Sequence, residues 1–193
     1  MYICMYIICQ YYDEEDCYVK MNSYNSCAIL SINIRSLANK WHEFKQFLTS
    51  SFGNYKPSVI CFQETWNISS FDDFSLEDYH PLFYMTRDPS GLNNNCGGGI
   101  GILVHNSLEF EPLHDLSVFL PKVFESQFIR IKNDKNNFTI IGNVYRPNTA
   151  PFADVKRANY ELNKILEKIR SHPIYRKCLD INLVGDFNID FTY

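Results

Sequence analysis

The chain has 193 residues, of which 46% are hydrophobic and 16% aromatic, so it is long and apolar enough to fold as one domain with a sizeable core. Extensive disorder is not expected from this composition. The 18 basic and 22 acidic residues give a formal net charge of -4, which lacks the basic excess of a tight, non-specific nucleic-acid binder. Residues 13 to 16 hold four of the acidic side chains, so the rest of the chain is near neutral.

Residues 1 to 26 are interpreted as an amino-terminal extension without an assigned function, because they show neither helical nor strand periodicity. The apolar stretch at residues 1 to 9 lacks a cationic start and is far shorter than the roughly 20 residues that span a bilayer. We therefore predict neither a signal peptide nor a membrane-spanning helix, and no membrane partner.

The seven cysteines are scattered and include no C-x-x-C pair, a pattern that disfavours structural zinc. Cys61 lies inside an apolar run and is predicted to be a small, buried hydrophobic residue. A reducing, intracellular compartment is therefore the expected location.

The predicted elements begin with an apolar strand at residues 28 to 33. Apolar residues at helical spacing then predict an amphipathic helix over residues 37 to 52, which Gly53 ends. A short apolar run at residues 59 to 62 predicts a buried strand.

The second half of the chain is predicted to be rich in strands. Residues 66 to 98 hold no clean period and predict a long irregular connection. The glycine-rich run at residues 97 to 101 lacks the Lys-Ser/Thr of a P-loop, so we interpret it as the tightly packed start of a strand that reaches Val104. The other predicted elements are a hairpin of strands 127 to 131 and 138 to 144, a helix at residues 153 to 171, and a strand at residues 181 to 184. Since strands both alternate with helices and pair as hairpins, the predicted fold class is α/β with mixed sheets in layers.

Polar side chains stand at the ends of four predicted strands, namely Asn33, Glu64, Tyr145 and Asp186. In open α/β sheets the reachable polar groups lie beyond the carboxyl ends of the strands, so these four are expected to converge. Hydrolysis of a phosphodiester requires charge neutralisation at the phosphoryl oxygens and an oriented water, and carboxylates that hold Mg²⁺ suit the first task. Each residue also has a plainer interpretation: Glu64 as a solvated loop residue, Asn33 as a turn residue, and Tyr145 as a ring that caps the core with its hydroxyl in water.

Five short motifs follow one another along the chain: Leu30-Ser31-Ile32-Asn33, Gln63-Glu64-Thr65, Gly98-Gly99-Ile100-Gly101, Asn143-Val144-Tyr145-Arg146-Pro147-Asn148 and Gly185-Asp186-Phe187-Asn188. With this order and spacing, the chain resembles the endonuclease/exonuclease/phosphatase superfamily, to which DNase I, apurinic endonucleases and the endonuclease domains of LINE-type non-LTR retrotransposons belong. The resemblance implies an incomplete, DNase I-like four-layer α/β sandwich of mixed sheets flanked by helices, formed by a domain at residues 27 to 193.

The same resemblance implies a role for each candidate residue. Glu64 would bind a divalent metal, Mg²⁺ or Mn²⁺, with the help of Asn33, and Tyr145 would contact the phosphate. Asp186 would orient or activate the attacking water, and Asn188 would donate to a phosphoryl oxygen. Considered without the resemblance, Asn188 is equally a turn residue.

The residues around these motifs are most similar to the retrotransposon branch, notably in Gln63-Glu64-Thr65-Trp66. That similarity implies nicking of DNA, with a reverse transcriptase domain as partner in a full-length element. Arg35 and Arg146 lie beside the motifs and are the candidates for contacting the DNA backbone. The nucleus would be the compartment if the substrate is genomic DNA.

In the family that this chain resembles, a late Asp-His pair completes the site beyond the motif that contains Asp186. All five histidines of this chain precede Asp186, and the chain stops at Tyr193. We therefore expect a carboxyl-truncated domain whose activity the sequence leaves open. The alternatives are a catalytically inactive remnant or binding module, and a superfamily member that acts on a phospholipid, an inositol phosphate or an RNA end.

Overall fold

A computed structural model describes residues 28–53, 56–68, 72–86, 97–133, 137–148 and 151–188. The predicted extension at residues 1 to 26 lies outside these ranges. In chain order, the strands are β1 (Ile29–Asn33), β2 (Val59–Gln63), β3 (Phe83–Met85), β4 (Ile100–Val104), β5 (Phe110–Pro112), β6 (Val118–Leu120), β7 (Phe124–Lys132), β8 (Phe138–Tyr145) and β9 (Cys178–Asp186). The helices are α1 (Leu37–Phe52) and α2 (Phe152–Ser171), and a 3₁₀ helix at Pro173–Tyr175 follows α2.

The described strands form two mixed sheets, and each sheet contains one parallel pair. The first sheet has the order β1-β2-β4-β3, with β1 parallel to β2. The second has the order β5-β7-β8-β9, with β6 also paired to β7 and β8 parallel to β9. Parallel neighbours need a crossover connection, and here α1 and α2 supply it for the two pairs. The carboxyl ends of the two strands in each parallel pair therefore lie on the same side of their sheet.

Three apolar clusters hold the layers together. Between the sheets lie Val59, Cys61, Ile102, Val104, Ile129, Ile131 and Ile141. Trp41 and Phe44 of α1 pack on the outer face of the first sheet, where the Phe44 and Phe62 rings meet edge to face at 4.9 Å. Ala158, Ile165 and Ile169 of α2 pack on the outer face of the second sheet. The order helix, sheet, sheet, helix is the four-layer α/β arrangement predicted from the sequence, and Cys61 is fully buried as predicted.

A buried amide pair ties one sheet to the other. Asn143 of β8 accepts a hydrogen bond at 2.7 Å from the Gln63 amide of β2. The Asn143 amide donates in turn to the carbonyl oxygens of Phe62 and Gly101 in the first sheet, at 3.0 and 3.1 Å. Both side chains are essentially inaccessible to water, so these polar groups have exchanged hydration for bonds across the sheet interface.

Most predicted elements are confirmed, but the short strands β3, β5 and β6 were not predicted, and β7 and β9 are longer than the strands predicted there. The connection predicted at residues 66 to 98 contains strand β3, which pairs with β4 and is too short to leave a periodic signal. The final strand is longer than the predicted 181 to 184, since pairing with β8 extends it from Cys178 to Asp186. Neither helix of the described part is long and apolar enough to cross a bilayer.

The cross-sheet amide pair predicts a large effect of Asn143→Ala on stability. The substitution would leave the Gln63 amide and two carbonyl oxygens without this partner in a dry interface, which should lower the free energy of unfolding by about 3 kcal/mol. Urea unfolding followed by circular dichroism measures the change. Asn182→Ala is the matched control, because Asn182 is exposed on β9, and its effect should stay within about 0.5 kcal/mol. Equal effects of the two substitutions would contradict a role for the pair in joining the sheets.

Candidate active site

Four predicted site residues lie at the carboxyl ends of the two parallel strand pairs. Asn33 ends β1, and Glu64 is the first residue after β2. Tyr145 ends β8 and Asp186 ends β9, where the two are direct partners in the strand register. Since the sheets pack face to face, the structure brings these four side chains together at one edge of the sheet interface.

Asn33 connects two carboxylates that belong to different sheets. Its amide nitrogen donates to Asp186 Oδ2 at 2.8 Å and to Glu64 Oε1 at 3.0 Å. Donation to two carboxylates fixes which end of the amide is nitrogen. The other end, Asn33 Oδ1, is buried and has no hydrogen-bond partner. A buried amide oxygen without a partner, beside two carboxylates, is a group that a cation could satisfy.

Glu64 receives two further hydrogen bonds. The Tyr145 hydroxyl donates to Oε1 at 3.1 Å, and the Trp66 indole N–H donates to Oε2 at 3.4 Å. Together with Asn33, all three donors are neutral, so they orient the carboxylate without cancelling its charge.

The backbone around Glu64 adopts a left-handed conformation that residues other than glycine rarely adopt. Glu64 has a φ of 53° and Trp66 a φ of 61°. Hydrogen bonds from Ser36 N to Glu64 O, from Thr65 N to Gly99 O and from Trp66 N to Gly98 O hold the segment, at 2.9, 3.1 and 2.8 Å. Left-handed residues outside glycine persist where surrounding contacts determine them, and they cluster at functional sites.

Tyr145 is only 6% exposed. Its ring is therefore part of the core, as the plainer interpretation expected. That interpretation also expected the hydroxyl to lie in water, whereas the structure shows it bonded to Glu64. Contact between Tyr145 and a phosphate remains a prediction.

The Asp186 turn is attached to the end of β8 by reciprocal bonds between Arg146 and Asn188. Arg146 N donates to Asp186 O at 2.9 Å, and its guanidinium donates to the carbonyls of Phe187, at 2.8 Å, and Asn188. The Asn188 amide donates to Arg146 O at 2.6 Å, while its backbone N–H donates to Asp186 Oδ1 at 3.1 Å. Asn188 is left-handed, with a φ of 47°, as a turn residue often is. The phosphoryl-donor role of Asn188 and the DNA-binding role of Arg146 remain predictions. Each role would use side-chain N–H groups other than those that make the hydrogen bonds just described.

Gly185 allows β9 to approach β8 closely just before Asp186. Its φ is 137°, and a Cβ atom at this position would lie 1.9 Å from the carbonyl oxygen of Val144. The glycine of this motif is therefore required by the backbone that places the Asp186 carboxylate.

The site and the set of predicted residues differ at two positions. Arg35 is exposed and left-handed, with a φ of 47°, and it lies two residues beyond Asn33. Trp66 was not among the predicted site residues, although its indole contacts Glu64; its position two residues after Glu64 was the signal available in the sequence. Within the described ranges, no group of three or more His, Cys, Asp or Glu side chains is placed to hold a metal ion.

Comparison with known proteins agrees with this architecture. Residues 30–193 match the model of the Endonuclease/Exonuclease/phosphatase family. The solved structures similar to the chain include the human Nocturnin catalytic domain with bound sulfate, with a TM-score of 0.55 and 18% identity over 84% of this chain and 64% of that one. AP endonuclease LMAP from Leishmania major has a TM-score of 0.60 and 13% identity over 82% of this chain and 54% of that one. Truncated TDP2 from Caenorhabditis elegans has a TM-score of 0.52 and 16% identity over 84% of this chain and 62% of that one.

At these identities the structural matches show a shared fold. No curated protein matches the chain by sequence. The chain spans less than two thirds of the length of the three structures just described. The family match covers most of the chain and includes every predicted site residue. The chain belongs to the endonuclease/exonuclease/phosphatase family and has its DNase I-like fold of mixed sheets flanked by helices.

Proposed function

We propose that the chain carries the metal-binding half of a divalent-metal-dependent phosphodiester hydrolase site. The observation that carries this proposal is the Asn33 amide, which donates to both Glu64 and Asp186 while its own oxygen is buried without a partner. Two like charges on one amide repel each other, and a cation beside them relieves that repulsion.

The donor set fits Mg²⁺ or Mn²⁺. Glu64 Oε2 and Asn33 Oδ1 are hard oxygen donors, and neither thiolate nor imidazole is involved. Mg²⁺ commonly uses one or two carboxylates and keeps several waters, which suits a site whose described residues include no cluster of three acidic side chains. When bound, the metal would neutralise charge that develops on the phosphoryl oxygens during cleavage.

The other residues have tasks that follow from their positions. Tyr145 holds Glu64 through its hydroxyl, and in this proposal the same hydroxyl contacts a phosphoryl oxygen. Asp186, which is held by Asn33 and by the backbone N–H of Asn188, can accept a proton from an attacking water and orient it. The division of labour between one metal-binding and one water-handling carboxylate is the proposed mechanism.

We further propose that the substrate is DNA and that the chain is the endonuclease part of a retroelement with an attached reverse transcriptase domain. The support is the similarity of Gln63-Glu64-Thr65-Trp66 to that branch, and Arg35, which is exposed beside β1 and can contact a phosphate backbone. One structural relative is named as an AP endonuclease. A chain that binds a phosphodiester but does not cleave it is the alternative.

Glu64→Gln is expected to weaken Mg²⁺ binding by roughly a hundredfold or more, because it removes the charged ligand, and loss of groups that merely support a ligand already costs about 10- to 100-fold. Calorimetric titration with Mg²⁺ or Mn²⁺ measures the affinity directly. Glu109→Gln is the matched control, since Glu109 is exposed and pairs with Lys132 on the surface. Cation binding that is unchanged in Glu64→Gln would overturn the metal site.

Asp186→Asn is expected to separate metal binding from catalysis. An amide oxygen can still accept the Asn33 hydrogen bond, so Mn²⁺ affinity should change by no more than about tenfold. Cleavage should fall by roughly 10²- to 10⁴-fold, because the amide cannot accept the proton of the water. The rates are measured on supercoiled plasmid, an RNA end and a phosphoinositide, with wild-type protein alongside. A substrate other than DNA that is cleaved fastest would redirect the substrate proposal, and a variant as active as wild type would remove Asp186 from the mechanism.

The retroelement assignment makes a prediction about the gene. The reading frame after codon 193 should encode a further Asp-His pair and then a reverse transcriptase. Sequencing the genomic DNA downstream of this codon tests it. A downstream frame that encodes neither would favour the inactive remnant or the binding module.

A further inference from the structure

The cross-sheet contacts at the site form an ordered series that continues beyond the predicted residues. Glu125, Tyr145 and Asp186 are direct partners across β7, β8 and β9, so their side chains point to the same face of the second sheet. Asp186 reaches Asn33 of β1, and Tyr145 reaches Glu64 after β2. The third member, Glu125, reaches the segment just before β4.

Glu125 is a carboxylate with no exposed surface. Its Oε2 atom accepts the backbone N–H of Gly99 at 2.6 Å, which is a short hydrogen bond. Burial of a carboxylate is costly unless specific partners compensate it. The bond to Gly99 is therefore one of the contacts that compensate this burial, and its effect on the site depends on the residues that Gly99 contacts.

Gly99 supports the segment that follows Glu64. Its carbonyl accepts the N–H of Thr65, and the carbonyl of Gly98 accepts the N–H of Trp66. Gly99 has a φ of 82°, and a Cβ atom there would lie 2.4 Å from Thr65 Oγ1 and 3.0 Å from Trp66 O. The two backbones touch, so a shift of Gly99 must move the residues that keep Glu64 left-handed.

We propose that Glu125 is a positioning residue that fixes Gly99, and through it the Thr65–Trp66 backbone, so that the Glu64 carboxylate and the Trp66 indole face the cation. This inference rests on the proposed metal site and adds to it a residue on β7. It assigns the conformation of the Glu64 segment to a hydrogen-bond acceptor of a particular length on β7, not to the negative charge of that acceptor.

Two substitutions separate length from charge. Glu125→Gln keeps the length and an oxygen acceptor for Gly99 but removes the charge, whereas Glu125→Asp keeps the charge but shortens the side chain by one methylene. Tb³⁺ is the probe, because it takes hard oxygen ligands and its luminescence is sensitised by a nearby indole such as Trp66. We expect Glu125→Asp to weaken Tb³⁺ binding by about tenfold or more, and Glu125→Gln to stay within about threefold of wild type.

Controls distinguish this inference from the proposed function. Glu64→Gln should abolish the Tb³⁺ signal, and Gly53→Ala, at the end of α1 where a Cβ atom meets nothing within 4 Å, should lose some stability without losing the signal. A wild-type chain that binds no Tb³⁺ would overturn the metal site and this inference together. Binding that depends on Glu64 but is unchanged in Glu125→Asp would overturn this inference alone. So would equal losses in the two Glu125 variants, or a larger loss in Glu125→Gln.

A measurement on the wild-type chain covers the case in which Glu125→Asp does not fold. In ¹⁵N-labelled protein, the amide resonances of Gly99, Thr65 and Trp66 should shift together on addition of Mg²⁺ and saturate at the same concentration. A Gly99 resonance that stays in place while that of Trp66 shifts would show that the two segments are not coupled, against the proposal.

Discussion

The geometry of the site depends on one amide that is shared by two carboxylates from different sheets. Asn33 donates to Glu64 and to Asp186, so the relative position of the sheets is set at the point where the chemistry would occur. A hydrogen bond to a charged acceptor is stronger than one between neutral groups, and it tolerates little misplacement. The buried Gln63–Asn143 pair makes a second polar connection between the same two sheets. The apolar side chains between the sheets stabilise the packing through their buried area, but they do not fix the orientation of one sheet on the other.

The fold explains why residues so distant in sequence can meet at all. Each sheet contains one parallel pair joined through a helix, so β1 and β2 end on the same side, as do β8 and β9. Packing the sheets face to face then opposes these two sets of carboxyl ends. The side chains that lie there, Asn33 and Glu64 from one sheet and Tyr145 and Asp186 from the other, need no long loops to meet. Catalytic constellations built on strand ends are more precisely placed than those on loops.

Much of this arrangement could be predicted from the sequence because it depends on local patterns. Helical spacing gave both helices, and apolar runs gave the central strands, since burial on both faces leaves a strand with few polar residues. The convergence of Asn33, Glu64, Tyr145 and Asp186 followed from the rule that sites lie beyond carboxyl strand ends. By contrast, β3 has three residues and pairs only in the context of β4, so no period within it could have marked it as a strand.

The parts that sequence could not predict are those that depend on a neighbour from the opposite sheet. Glu125 stands in a strand where an acidic residue would ordinarily face solvent, and only the packing of β7 against the segment before β4 makes it a buried acceptor for Gly99. Trp66 resembles any aromatic residue at a strand exit until its indole is seen to face Glu64. Asn188 and Arg146 each bond to the other's backbone, a contact that no local pattern in the sequence indicates, and their roles toward a substrate remain predictions. At this site the residues at the strand ends are marked by their position in the chain, whereas most of the contacts that hold them depend on the packing of one sheet on the other.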